Sequence, residues 1–172
     1  MGDLYEFDDV DAFGVGTVGL PGQRTFFVQV RADGNRVTLK CEKQQVAALG
    51  QYLQKLLEDL PSPGDRPLER SLDLVAPVEP PSFTIGAIGL AFDQGLDRFV
   101  LMLEEFVALD PDTGEPDPED ASDAGRIRFR LTRGQALAFA ERSEEIVAAG
   151  RPSCTWCGFP MDPDGHPCPR MN

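Results

Sequence analysis

The sequence predicts an α+β protein of two similar β-β-β-α repeats packed about a pseudo-two-fold axis, with a small C-terminal element appended. Three observations carry this: a glycine motif that occurs twice, a strand-then-helix pattern after each copy, and a cysteine-bearing tail with few apolar residues. The expected organisation is a first repeat over 1–60, a proline-rich linker over 61–81, a second repeat over 82–150 with an acidic loop at 110–124, and the tail at 151–172.

The motif Gly16-Thr17-Val18-Gly19-Leu20 recurs as Gly86-Ala87-Ile88-Gly89-Leu90. An aromatic and β-branched run follows each copy, Thr25 to Val30 in the first and Arg98 to Leu103 in the second. Next come Arg36-Val37-Thr38-Leu39-Lys40 and Arg126-Ile127-Arg128-Phe129-Arg130, whose apolar–polar alternation has the period of two of a half-buried strand. The linker runs from Pro61 to Pro81. Its middle, Ser71 to Val75, reads as a short strand or an extended crossing segment.

Each repeat then enters a helix. Val46, Leu49, Leu53, Leu56, Leu57 and Leu60 fall at steps of three and four and mark one apolar face, as do Ala136, Phe139, Ala140, Ile146 and Val147. Thr132 with Gln135 reads as a capping box, in which each side chain satisfies a free amide of the first turn. Pro61-Ser62-Pro63-Gly64 stops the first helix. Gly150 and Pro152 stop the second, the glycine as a left-handed cap. Gln45 and Gln135, Val46 and Ala136, Leu49 and Phe139, and Leu56 and Ile146 match at one common offset, whereas the glycine motifs match at a shorter one. An insertion from Asp110 to Asp120, too charged and proline-rich to order itself, accounts for the difference.

The chain has 29 acidic against 16 basic residues and a formal net charge of −13. An acidic surface repels phosphate backbones and anionic lipid heads, so nucleic acid and membrane are expected to be excluded as partners. The start MGDLYEFDDV lacks the basic and apolar runs of a secretory signal, and no stretch approaches the roughly 20 apolar residues of a membrane span. A cytoplasmic location is expected, and there clustered cysteines point to metal rather than disulfides.

The tail carries Cys154, Cys157, His166 and Cys168 in the pattern C-x2-C, eight residues, H-x-C. A C-x2-C turn delivers two thiolates to one ion, and three thiolates with one imidazole suit tetrahedral zinc. Iron–sulfur ligation, a redox-active Cys154–Cys157 pair and reduced side chains holding no metal are the competing readings. Gly158 lets the backbone fold under the metal so that amides reach the sulfurs, and Asp162-Pro163-Asp164-Gly165 is turn chemistry that returns His166 and Cys168. With every coordination position filled by protein, the zinc is expected to be structural. Trp156 is expected to dock the tail on the body, and Cys41 to behave as a small buried hydrophobe.

No catalytic constellation emerges. His166 is the single histidine and is spent on the metal, which removes histidine-based hydrolase chemistry. Gly14-Val15-Gly16-Thr17-Val18-Gly19 lacks the lysine and hydroxyl residue of a phosphate loop, and its glycines read as bends or bulges in a sheet. Asp110-Pro111-Asp112-Thr113-Gly114 lacks the glutamate of a calcium loop. Glu104 and Glu105 would face opposite sides of a strand and could not cooperate.

Val10-Asp11-Ala12-Phe13-Gly14-Val15-Gly16, Cys41-Glu42-Lys43 and Cys154-x-Trp156-Cys157-Gly158-x-Pro160-x-Asp162-Pro163-x-Gly165-His166-x-Cys168-Pro169-Arg170 resemble an uncharacterised, ParJ-like actinobacterial family. The resemblance spans essentially the whole chain. It implies a cytoplasmic adaptor or regulator without assigned enzymatic activity, with a ParA-type chromosome-partitioning ATPase as the protein partner. The expectation is therefore a non-enzymatic, zinc-stabilised interaction protein. The alternative is an enzyme or sensor binding a small thiol or nucleotide metabolite between the two repeats.

Overall fold

In β3 (Thr25–Ala32) the side chains of Phe26, Val28, Val30 and Ala32 are buried, and in β4 (Asn35–Cys41) those of Val37, Leu39 and Cys41 are, so alternation builds one apolar face as expected. The computed structural model describes residues 2–170 apart from 77, 79 and 163. The other elements are β1 (Leu4–Asp9), β2 (Ala12–Val18), α1 (Lys43–Glu58), a 3-10 turn at Glu69–Leu72, β5 (Phe83–Asp93), β6 (Arg98–Glu105), α2 (Pro118–Asp123), β7 (Arg126–Leu131) and α3 (Arg133–Ala148). Together they form a mixed α+β fold with one seven-stranded sheet in the order β1-β7-β6-β5-β4-β3-β2.

Neighbouring strands are antiparallel except at two places, β4 against β5 and β1 against β7. β1 and β2 lie at opposite ends of the strand order yet are consecutive in the chain. At the bend between them, the Val10 amide donates to Arg130 O (3.3 Å) and the Asp11 amide to Arg31 O (2.8 Å). One bent segment thus bridges both edges and the sheet curls on itself. The rings of Phe13 on β2 and Phe129 on β7 are 5.0 Å apart, and Phe13 also stacks on Phe139 of α3 at 4.2 Å.

α1 and α3 pack against each other. A Cβ on Gly50 would lie 3.0 Å from Ser143 Cβ and 3.5 Å from Ala140 O, so small residues set how closely the helices approach. Both helices open with a capping box, Glu42 with Gln45 and Thr132 with Gln135. Inside the curl, Leu53, Leu101, Leu103, Ile127, Leu131 and Phe139 are buried in one continuous core.

The outer face of β2 and β3 is strapped by the middle of the linker. Ser71 and Leu72 end the 3-10 turn, and Asp73 to Val75 form a crossing segment, not an added strand of the sheet. The fully buried amide of Gln29 accepts from the Val75 amide (2.8 Å) and donates to Thr38 Oγ1 (3.1 Å). Arg31 donates to Ser71 O. This strap corrects the reading of the first glycine motif. Gly19 is a bend with φ +104°, but Gly14 and Gly16 lie in unbroken register with β3 and are no bulge. They make room: a Cβ on Gly16 would lie 2.7 Å from Leu74 Cγ, and one on Gly14 3.0 Å from Asp73 O.

Two further expectations are corrected. Gly150 is not in the left-handed region; α3 ends when the Ala149 amide closes on Glu145 O, with Ala149 as the cap. The acidic insertion orders itself locally. Asp110 Oδ1 accepts from the amides of Asp112 (2.9 Å) and Thr113 (2.8 Å), Leu109 bridges Pro116, and Asp117 caps α2. Those amides hold the Asp110 carboxyl below its ordinary value. Side-chain caps supply locally what the missing apolar core cannot.

Candidate metal centre

Beyond α3 the chain makes a small knuckle in which Ser153 bridges Pro160. The Cys154 amide donates to Phe159 O and the Gly158 amide to Cys154 O, both at 2.8 Å. Gly158 has φ +76°, a backbone state that a Cβ disfavours. The turn presents the Trp156 and Cys157 amides to the Cys154 sulfur and the Phe159 amide to the Cys157 sulfur, as expected of Gly158. A second turn, closed by the Gly165 amide on Asp162 O (2.9 Å) with Gly165 at φ +91°, returns His166 and Cys168 to the first pair. Pro163 of this turn lies outside the described residues.

The ligand atoms of Cys154, Cys157, His166 and Cys168 all lie within 4.8 Å of one another. Cys154 Sγ is 3.9 Å from Cys168 Sγ, and Cys157 Sγ is 3.2 Å from His166 Nε2. Around a tetrahedral ion with ordinary zinc bond lengths, such pairs are separated by about 3.8 Å and about 3.5 Å respectively. A disulfide would bring the sulfurs to about 2.05 Å, and all the cysteines are free thiols. His166 Nδ1 is buried without a hydrogen-bond partner, and Nε2 meets a sulfur. The approach of Nε2 to a sulfur is the contact expected of two ligands sharing one ion. The four side chains could therefore bind one metal ion.

Electrostatics divide the first two thiols. Amides of Cys157 and Trp156 pull the Cys154 thiol below its ordinary value, whereas desolvation pushes Cys157 up. Both directions describe the protein without an ion, whose charge would favour the thiolate at each position.

Within the tail Arg151 pairs with Asp162 at 2.9 Å, and this pair packs against Gly22 of the body. Trp156 does not dock it. That side chain is 63% exposed, because the turn directs its amide at sulfur and leaves the indole outward. Phe159, which the sequence reading passed over, is likewise 60% exposed. Its place two residues after the second cysteine was the available signal. Cys41 is buried, as expected, and burial followed by the neighbouring Glu42 charge pushes its thiol up to about 12. Glu104 pairs with Arg126 while Glu105 accepts from the Gly125 amide, so the two carboxylates serve separate partners.

A curled seven-stranded α+β body carrying a compact cysteine–histidine knuckle, to which the single histidine of the chain belongs, defines a protein with a candidate metal centre. The chain belongs to a family described as protein of unknown function, DUF3090, whose family model matches residues 5–168, from β1 to the last cysteine of the cluster. No curated protein and no solved structure is significantly similar to it. Among the described residues, no helix is long and apolar enough to cross a membrane.

Proposed function

We propose that this protein is a non-enzymatic, zinc-stabilised interaction protein of the cytoplasm. It acts on a protein partner, for which a ParA-type chromosome-partitioning ATPase is the class we favour. The observation that carries the interaction reading is the pair Trp156 and Phe159, both outward on a knuckle braced by the cysteine–histidine cluster. Exposed aromatics on a rigid turn are the residues that most often dominate protein interfaces. Structural zinc is the ion that three thiolates and one imidazole favour when all four positions are protein. The choice of an ATPase partner rests on the family resemblance alone.

The test is direct binding of the zinc-loaded protein to a purified ParA-type ATPase. Binding is expected, and Trp156→Ala with Phe159→Ala should weaken it by about ten-fold or more while zinc content is unchanged. Absence of binding removes the ATPase, and retention of full affinity in the double variant removes the knuckle as the contact.

Duplication of a β-β-β-α unit about a pseudo-two-fold axis is part of this proposal, although the first half carries four strands, β1 to β4, before α1, and the second three, β5 to β7, with α2 before the last. The last strand of each half pairs in parallel with the first strand of the other, and the capping glutamines occupy matching positions at the two helix starts. The second reading, a small thiol or nucleotide metabolite bound between the halves, is favoured by one feature. A groove of about 430 Å³ lies between α1 and β5, lined by Leu49, Tyr52, Ile88 and Leu90 among others. No charged residue lines it, so it offers binding without chemistry.

A further inference from the structure

At the opposite end of α1 from its exposed C-terminus, the start of β3, the end of β4, the first turn of α1 and the end of α3 enclose a cleft of about 400 Å³. Its walls carry Arg24, Lys40, Lys43 and Arg151 against one lining acid, Glu42, with Asp162, the partner of Arg151, beside Gly22 at the rim. In a chain with 29 acidic and 16 basic residues this is a local reversal of sign. The lining acid is engaged: Glu42 is the N-cap of α1 and closes its capping box with Gln45.

Of the four cations only Arg151 is in an ion pair among the described residues, with Asp162. Arg24 is half-buried and fixed, its Nη1 donating to Ile146 O (3.1 Å) and its guanidinium lying 5.2 Å above the Phe26 ring. Lys40 and Lys43 make no ion pair or hydrogen bond among the described residues. Arg151 is held at the rim by Asp162 of the knuckle. The Glu42 carboxylate already caps the first turn of α1, so the field of the cleft comes from the side-chain cations and not from the helix end. A Cβ on Gly150 would stand 3.3 Å from Lys43 Nζ; the absent side chain keeps the cleft open.

We infer that this cleft binds a small phosphate-bearing metabolite. Two ammonium groups and an anchored guanidinium lining one cleft can make the charge-assisted contacts that phosphate oxygens accept, and the volume suits a molecule of nucleotide or sugar-phosphate size. Free polynucleotide is a poor fit, because the acidic remainder of the surface repels an extended phosphate chain. The site lies outside the groove between α1 and β5 and does not depend on the proposed protein partner. It holds no competent nucleophile, since the buried Cys41 thiol at its base stays protonated at neutral pH.

The experiment titrates the full-length, zinc-loaded protein with inorganic pyrophosphate and with ATP at constant ionic strength, by calorimetry and amide chemical-shift mapping. Saturable binding is expected, with shifts at Lys43 and Gly150. Lys40→Ala with Lys43→Ala should weaken it by about ten-fold or more. Both lysines are exposed, so an unchanged melting temperature is expected and checks that the variant folds. Lys55→Ala, at the other end of α1, should bind as the wild type does. Failure of both probes to saturate in the millimolar range overturns the proposal, as does equal weakening by Lys55→Ala. An oligo-glutamate peptide that binds as tightly as pyrophosphate overturns the small-molecule assignment.

Discussion

Gln135 Nε2 donates to Val10 O at 2.9 Å, tying the first turn of α3 to the bend where β1 becomes β2. The same side chain accepts from the Thr132 amide through Oε1 (2.9 Å), so one amide group closes the capping box and holds the two edges of the sheet to the helix. Gln45 does the equivalent at α1, accepting from the Glu42 amide and donating to Ile85 O (3.0 Å). Gln135→Ala removes both bonds and leaves two polar groups short of partners, which should cost about 2–3 kcal/mol in urea unfolding. Gln135→Glu separates the two roles. A glutamate serves a capping box well but cannot donate to Val10, so a clear loss in this variant isolates the tie to the bend.

The knuckle should depend on its ion while the body does not. Among the described residues its segment contributes one, Cys154, to the buried apolar set. We expect about one zinc per chain by elemental analysis. Cys157→Ser, or strong chelation, should open the 152–168 segment to protease while far-ultraviolet circular dichroism of the sheet and helices stays near that of the wild type. Metal-free protein with a protease-resistant tail contradicts the assignment.

The two copies of the glycine motif were legible, but their jobs were not, because a glycine's purpose lies in what approaches it. Gly16 leaves space for Leu74 of the strap. Gly86 sits where the β5–β6 register slips, and a Cβ there would lie 2.6 Å from the backbone at Phe106. A side chain can move and a paired strand cannot. Gly86→Ala should therefore destabilise by about 2–3 kcal/mol and Gly16→Ala by about 1 kcal/mol. Thermal or urea unfolding of the two variants orders them; the reverse order overturns this account of the contacts.

Period-two alternation at Arg126–Arg130 and the apolar face from Val46 to Leu60 sufficed to place β7 and α1, because both are local patterns. The four tail residues were readable for the same reason: knuckle chemistry is written in spacing. The Asp33-Gly34 pair, with φ +52° and +75°, turns β3 into β4 and was an unused local signal. The curl of the sheet was not readable, since it depends on β1 pairing with β7, more than a hundred residues away. Nor was the basic cleft, whose four cations come from the start of β3, the end of β4, the first turn of α1 and the exit from α3.

Cys41 should leave a mark on alkaline stability. Its thiol has an ordinary value near 9 and is raised to about 12 in the fold, chiefly by burial and then by Glu42. Below pH 9 the thiol is protonated in both states and its burial is fully favourable. As pH rises from about 9 towards about 12, the unfolded chain releases the proton and the folded chain retains it, so ionisation favours unfolding. The cluster thiols also titrate, so the comparison is between zinc-loaded wild type and zinc-loaded Cys41→Ala. The alanine variant should start less stable, by about 1–2 kcal/mol for the lost packing, and its unfolding free energy should fall less steeply above pH 9. Parallel pH profiles for the two proteins would mean that Cys41 is accessible to solvent and titrates alike in both states.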